Sequence, residues 1–158
     1  VSETQRLSEQ VERAYAGDAW HGPSVREALD GVTAQLAMAR PIADAHSIWE
    51  IVAHLAAWNT AIVRRLGGER LDTPDEGDWP AVRDTSEAGW KEALAWLERG
   101  YAELKDAVGK LQPTRWEDAG EWRFSPYVMI VGTLQHYAYH AGQIALLKKA
   151  AARAGPRG

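Results

Sequence analysis

The sequence predicts an all-α fold, a four-helix bundle preceded by a short extra helix at the N-terminus. Three observations carry it. Apolar residues recur at steps of three and four through several long segments, the period of helices with one buried face. Those segments open on Ser-x-x-Glu capping boxes or Ser-Pro and close on Gly or Pro. No alternation of apolar and polar residues long enough for a strand interrupts them.

The leading helix spans Ser2 to about Ala16, with Leu7, Val11 and Ala14 or Tyr15 on one stripe, and Gly17-Asp18 ends it. Trp20-His21-Gly22-Pro23 breaks the chain. Ser24 and Glu27 then form a capping box for a helix to about Ala39, with Val25, Leu29, Val32 and Leu36 buried; Pro41 stops it. Ser47 and Glu50 form the next box. Behind it Ile48, Ile51, Leu55, Trp58, Ile62 and Leu66 mark a core stripe that closes at Gly67-Gly68. Glu69 to Arg83, with two Pro and several Asp, reads as a long irregular loop, the kind that often covers a site. Asp84 with Glu87 is the expected cap of a helix to about Leu111, with Trp90, Leu97, Tyr101, Leu104 and Val108 inward. Gln112 to Phe124 is irregular. Ser125-Pro126 supplies a cap and a Pro at the first helical position, and the last helix runs to about Ala152 before a Gly/Pro/Arg tail that should fray.

A length of 158 residues suits one domain, 1–158, and 46% apolar residues allow a real core. The formal charge of -4 gives no support to a nucleic-acid or anionic-membrane partner. With no cysteine, disulfides, thiolate metal sites and a protein-borne thiol nucleophile are excluded. No apolar run approaches the roughly 20 residues that span a bilayer, and the polar N-terminus is no signal peptide, so a cytoplasmic location is expected. Eight Trp against one Phe is unusual; Trp20, Trp79 and Trp122 are those whose place at a pocket the sequence leaves open.

The candidate chemistry lies in histidines. His136 and His140 are four apart on the last helix and aim at one point, a common way to offer two ligands to one ion. His54, on the flank of the first core stripe, is a third candidate from a facing helix. The competing reading is three hydrogen-bonded core or boundary histidines. Three neutral imidazoles leave a divalent ion its full charge and an open position, the pattern of catalytic rather than structural sites. Zn²⁺ suits the set, with Ni²⁺, Fe²⁺ and Mn²⁺ as alternatives. Glu50, one turn before His54, is either a cap or a base toward metal-bound water. Gln143 either orients a ligand or substrate or makes an interhelical hydrogen bond. His46 reads as structural, while His21, beside Trp20, is a candidate contact to a substrate or cosubstrate.

The run Ser47-Ile48-Trp49-Glu50-Ile51-Val52-Ala53-His54-Leu55, followed by His136-x-x-x-His140-x-Gly142-Gln143-Ile144, resembles the DinB/YfiT-like superfamily of metal-dependent enzymes, from about Trp20 to Leu147. The resemblance implies an up-down-down-up bundle with a long crossover, often a homodimer. It also implies a divalent ion on His54, His136 and His140. Relatives include thiol-dependent S-transferases and a mycothiol-dependent maleylpyruvate isomerase. The leading expectation is therefore a metal-dependent transferase that uses a low-molecular-weight thiol and a small-molecule substrate. The alternatives are a metal-dependent hydrolase, with Glu50 as base, and a non-enzymatic small-molecule-binding stress protein.

Overall fold

A computed structural model describes residues 1–120 and 123–154. Trp122 and the tail from Gly155, which the sequence expects to fray, lie outside the described residues. Within them the chain is all-helical: α1 (Glu3–Ala16), α2 (Val25–Leu29), α3 (Ala34–Met38), α4 (Ile48–Leu66), α5 (Glu87–Lys110) and α6 (Pro126–Ala154), with a 3-10 turn at Pro113–Arg115.

The long helices are α1, α4, α5 and α6, and cross-contacts fix their directions. Thr4 Oγ1 donates to the Leu111 carbonyl, Lys105 pairs with Glu12 at 2.9 Å, and the Tyr15 and Tyr101 rings stack at 3.9 Å. Those pairings run α1 and α5 antiparallel. Trp49 meets Trp90, and Asn59 faces Gly100 ten residues further along both helices, so α4 and α5 run parallel. His54 meets His136 and His140, while Tyr137 bonds Asn59, which sets α6 against α4. The path is up-down-down-up, and the parallel pair requires the long crossover of residues 67–86.

The stretch read as a short extra helix is thus α1, a full member of the bundle with Leu7, Val11, Ala14 and Tyr15 buried. The helix expected from Ser24 to Ala39 is instead broken into α2 and α3. Its capping box forms, with Ser24 and Glu27 bonded both ways, but the helix lasts five residues. Gly31 takes φ +70°, a left-handed conformation that favours glycine, and Thr33 restarts the chain by capping Leu36. Tertiary partners take up the backbone groups that the break frees. Trp90 Nε1 donates to Val32 O at 2.8 Å, Ala34 N donates to Glu87 at 3.1 Å, and Lys148 donates to the Ala28 and Asp30 carbonyls. With Glu87 spent there, α5 is capped by Ser86 rather than by Asp84, which accepts from Ser86 N instead.

The box on α4 forms as expected, with Ser47 and Glu50 reciprocal. Gly67 and Gly68 end that helix, and Arg64 and Arg65 at its last turn hold the crossover. Arg64 pairs with Glu69 and Asp75, and Arg65 donates to the Leu71 and Asp72 carbonyls at 2.7 Å each. The Ser125 hydroxyl accepts from Val128 N at the start of α6, whose first residue is Pro126. No helix among the described residues is long and apolar enough to cross a membrane.

Candidate metal centre

Side chains from α4 and α6 converge. His54 and His140 are buried and His136 is half-buried, and one ring nitrogen from each lies within 4.8 Å of the other two. His136 Nε2 stands 2.8 Å from His54 Nε2 and 2.9 Å from His140 Nε2.

The outer nitrogens show why these contacts suit a cation. A carbonyl oxygen can only accept, so the ring nitrogen facing one carries the hydrogen. His54 Nδ1 donates to the main-chain oxygen of Asp78, and His140 Nδ1 donates to Gln143 Oε1 at 2.6 Å. Both rings are thereby set in the tautomer that bares Nε2 toward His136. His136 Nε2 carries at most one hydrogen, so at least one of the two short N···N contacts opposes lone pair to lone pair. A shared divalent ion removes that repulsion. Burial and mutual proximity also keep the rings neutral. Burial, reinforced by the other two histidines, pushes His136 down to about 3. Burial pushes His140 down to about 4 against the opposing bond to Gln143, and lowers His54 against its bond to Asp78. Neutral imidazole is the ligand form.

The crossover supplies the surroundings. Asp78 accepts from His54 through its backbone and from Trp58 Nε1 through its carboxylate at 2.7 Å. Trp79 lies between two histidine rings, stacked on His54 at 4.1 Å and on His46 at 3.5 Å. Two cavities flank the centre. One, of about 420 Å³, lies between α4 and α6 beside His54 and His136, with Trp58, Ile62 and Val128 on its wall. The other, of about 400 Å³, lies beside His140 and Gln143, with His46, Trp79 and Tyr139.

The remaining candidates fall as follows. Gln143 sits against His140 and orients it. Glu50 bonds Ser47 N at 2.7 Å and Arg40 at 2.6 Å, so the structure gives it the capping role and its hydrogen bonds do not go to the triad. Burial pushes its carboxyl up, but the bonds from Ser47 and Arg40 outweigh this and hold it below the ordinary glutamate range, which makes it a weak base. Trp20 is fully exposed and His21 exposed, and neither lines either cavity. The structure therefore does not bring Trp20 and His21 to the centre; both lie exposed in the turn between α1 and α2. Sequence reasoning missed Asp78, which sits in irregular chain and acts largely through its backbone. Trp79 was readable only as one of three tryptophans whose place was open, and its sole signal was being the aromatic residue in the linker.

A three-histidine group that could hold a metal ion, in an up-down-down-up bundle and flanked by two cavities, is compatible with a metal-binding enzyme of the helical-bundle class. The family model of the DinB superfamily matches residues 19–144, and the chain belongs to that superfamily. No curated protein and no solved structure matches the chain.

Proposed function

We propose that this protein is a metal-dependent transferase that joins a low-molecular-weight thiol to a small electrophilic substrate, with His54, His136 and His140 holding a divalent ion. The observation that carries the reading is a donor set of three neutral imidazoles from α4 and α6, gathered at one point between two cavities that can each take a small molecule. Zn²⁺ suits such ligands best, Ni²⁺ and Fe²⁺ also take imidazole, and Mn²⁺, which favours oxygen donors, suits them least. A divalent ion so held lowers the pKa of a thiol that binds it, and the thiolate is the nucleophilic form.

The residues of the chain divide the remaining work. Gln143 and the Asp78 carbonyl keep two ligands in the tautomer that faces the centre. Trp79 covers the face of His54 and keeps water from that side. The cavities on either side admit two molecules. The sulfur then forms its bond to the electrophilic carbon, the leaving group departs with the bonding pair, and the thiol proton passes to solvent. A free thiol starts near pKa 8.5, close enough to neutrality that a cation alone suffices. The rival hydrolase reading rests on bound water, whose pKa such an ion also lowers toward neutrality, while Glu50, its candidate base, is engaged at the cap of α4; a requirement for added thiol separates the two.

The test loads the protein with Zn²⁺ and supplies a thiol with 1-chloro-2,4-dinitrobenzene, whose thioether absorbs in the near ultraviolet. Turnover that needs both metal and thiol, and that His54→Ala abolishes, supports the reading. Release of product without thiol supports the hydrolase. Ligand-induced tryptophan fluorescence change with no product under any condition supports a binding protein. We also propose the homodimer that the family resemblance implies. Light scattering at twice 17.5 kDa supports it and a monomer mass contradicts it.

A further inference from the structure

The cavity between α4 and α6 is elongated, and its two ends differ in chemistry. On α4 its wall is His54, Trp58, Ile62 and Arg65, spaced four, four and three apart on one helical face. On α6 it is His136, Gly132 and Val128, each four apart, with Phe124 just ahead of the helix. At the rise of an α-helix the α4 side runs about 16 Å from the triad to Arg65. Between the ends the wall is largely apolar, made by Trp58, Ile62, Val128 and Met129. The far end is basic. The Arg65 guanidinium lies 5.1 Å over the Trp58 ring, and the Leu71 and Asp72 carbonyls orient it without carrying charge. Burial lowers the pKa of Arg65 although the Asp72 carboxylate opposes this, so part of the cation's lost hydration is left without compensation. A smaller cavity of about 270 Å³ abuts this end and shares Arg65, Phe124 and Met129 with the first. It carries Arg70 and Arg115, with Asp118 3.7 Å from Arg115.

We infer that this groove takes an amphipathic carboxylic acid, with its apolar chain between α4 and α6, its carboxylate at Arg65 and its other end at the histidine triad. The inference deepens the proposed function by naming the class of the electrophile: an acid whose reactive carbon lies at the end remote from the carboxylate. It rests on that reading for the reactive carbon alone. Thr133 turns its hydroxyl to the Met129 carbonyl at 2.9 Å, so the middle of the groove favours hydrocarbon. A volume of about 420 Å³ suits a chain of medium length. At the far end a half-buried guanidinium gives a carboxylate a charge-assisted hydrogen bond, stronger than any it gives a neutral group.

Two probes of one length test this: decanoate, and decanamide, the neutral amide of the same chain, each below the concentration at which it aggregates. Binding is read by the change in tryptophan emission with no thiol present, on protein as purified and again with added Zn²⁺. Decanoate should bind at least about tenfold tighter than decanamide, the gain expected when the acceptor of a hydrogen bond is charged. Zn²⁺ should leave that preference unchanged. Arg65→Met should erase it, and Arg65→Lys, which keeps the charge, should retain most of it. The preference is a ratio, so a loosened crossover that weakens both probes alike does not imitate its loss. Gly132→Phe, at a position where an added Cβ meets nothing within 4 Å, should plug the groove and weaken both probes at least about tenfold. Equal affinity for the two probes, no binding of either, a preference that survives Arg65→Met, or unchanged binding in Gly132→Phe overturns the inference. A preference that appears only with Zn²⁺ also overturns it, since the carboxylate then sits on the ion. None of these outcomes bears on metal content or thiol-dependent turnover, so the proposed function stands or falls separately.

Discussion

Nδ1 of His54 donates to the main-chain oxygen of Asp78, so the crossover between α4 and α5 decides which nitrogen of a central histidine is left bare. The same residue is latched from the other side, since its carboxylate accepts from Trp58 Nε1 one turn beyond His54. A segment with no helix of its own is thereby tied to the centre at two points, and that coupling can be measured.

Trp58→Phe removes the indole donor and keeps most of the apolar ring. It should loosen Asp78 and weaken metal affinity about tenfold, the lower range for partners that orient metal-binding histidines. Competition against a chromophoric chelator reads this. Affinity unchanged within a factor of two would show that the latch does not hold His54.

Gln143→Leu takes away the acceptor for His140 Nδ1 and frees that ring to choose its tautomer. Metal affinity should fall about 10- to 100-fold, while Gln143→Glu, which keeps an acceptor, should restore most of it. If both substitutions behave alike, the carbonyl of Gln143 is not what orients the ring.

Acid should destabilise the metal-free fold before it titrates the carboxylates. The unfolded imidazoles take up protons near 6.5, whereas burial holds His136 down to about 3 and His140 down to about 4. Below 6.5 the unfolded state therefore binds more protons, and stability falls as pH falls through that window toward 4. Each such group contributes a slope of about 1.4 kcal/mol per pH unit once its unfolded form is fully protonated. Urea unfolding at pH 7.5, 6 and 5 reads this slope, and His136→Gln should reduce it. A flat profile over that range would mean the imidazoles are not held neutral.

Two glycines of α5 should respond oppositely to alanine. At Gly100 an added Cβ would stand 3.0 Å from the Asn59 Cβ, where α4 and α5 approach closely, so Gly100→Ala should lower stability by about 1–2 kcal/mol. At Gly109 it meets nothing, and Gly109→Ala should raise stability by about 0.5–1 kcal/mol. Thermal unfolding compares them. A gain at Gly100 would contradict the close parallel packing of these helices.

The sequence carried the parts of this molecule that local chemistry governs. The Ser47–Glu50 box, the Gly67 stop and the Ser125-Pro126 start all stand where the residues place them, because each signal closes its own hydrogen bonds. The histidine triad was legible because i, i+4 spacing fixes two of its members on one face. Length after a cap was not legible. Ser24 and Glu27 bond as a box does, but Trp90 and Glu87, about sixty residues away, accept the cost of ending the helix at Leu29. Asp78 escaped for a related reason: its main-chain oxygen carries no residue type to read, and only the fold brings it to His54.

The central claim is that imidazoles from α4 and α6 share one ion. Elemental analysis of untagged protein, purified without added metal, tests it most directly, with His54→Ala as its companion. The account predicts a divalent transition metal near one per chain in the unaltered protein and its loss from the variant. Protein that arrives without metal and takes up none on addition of Zn²⁺, or a variant that retains it in full, would contradict the account.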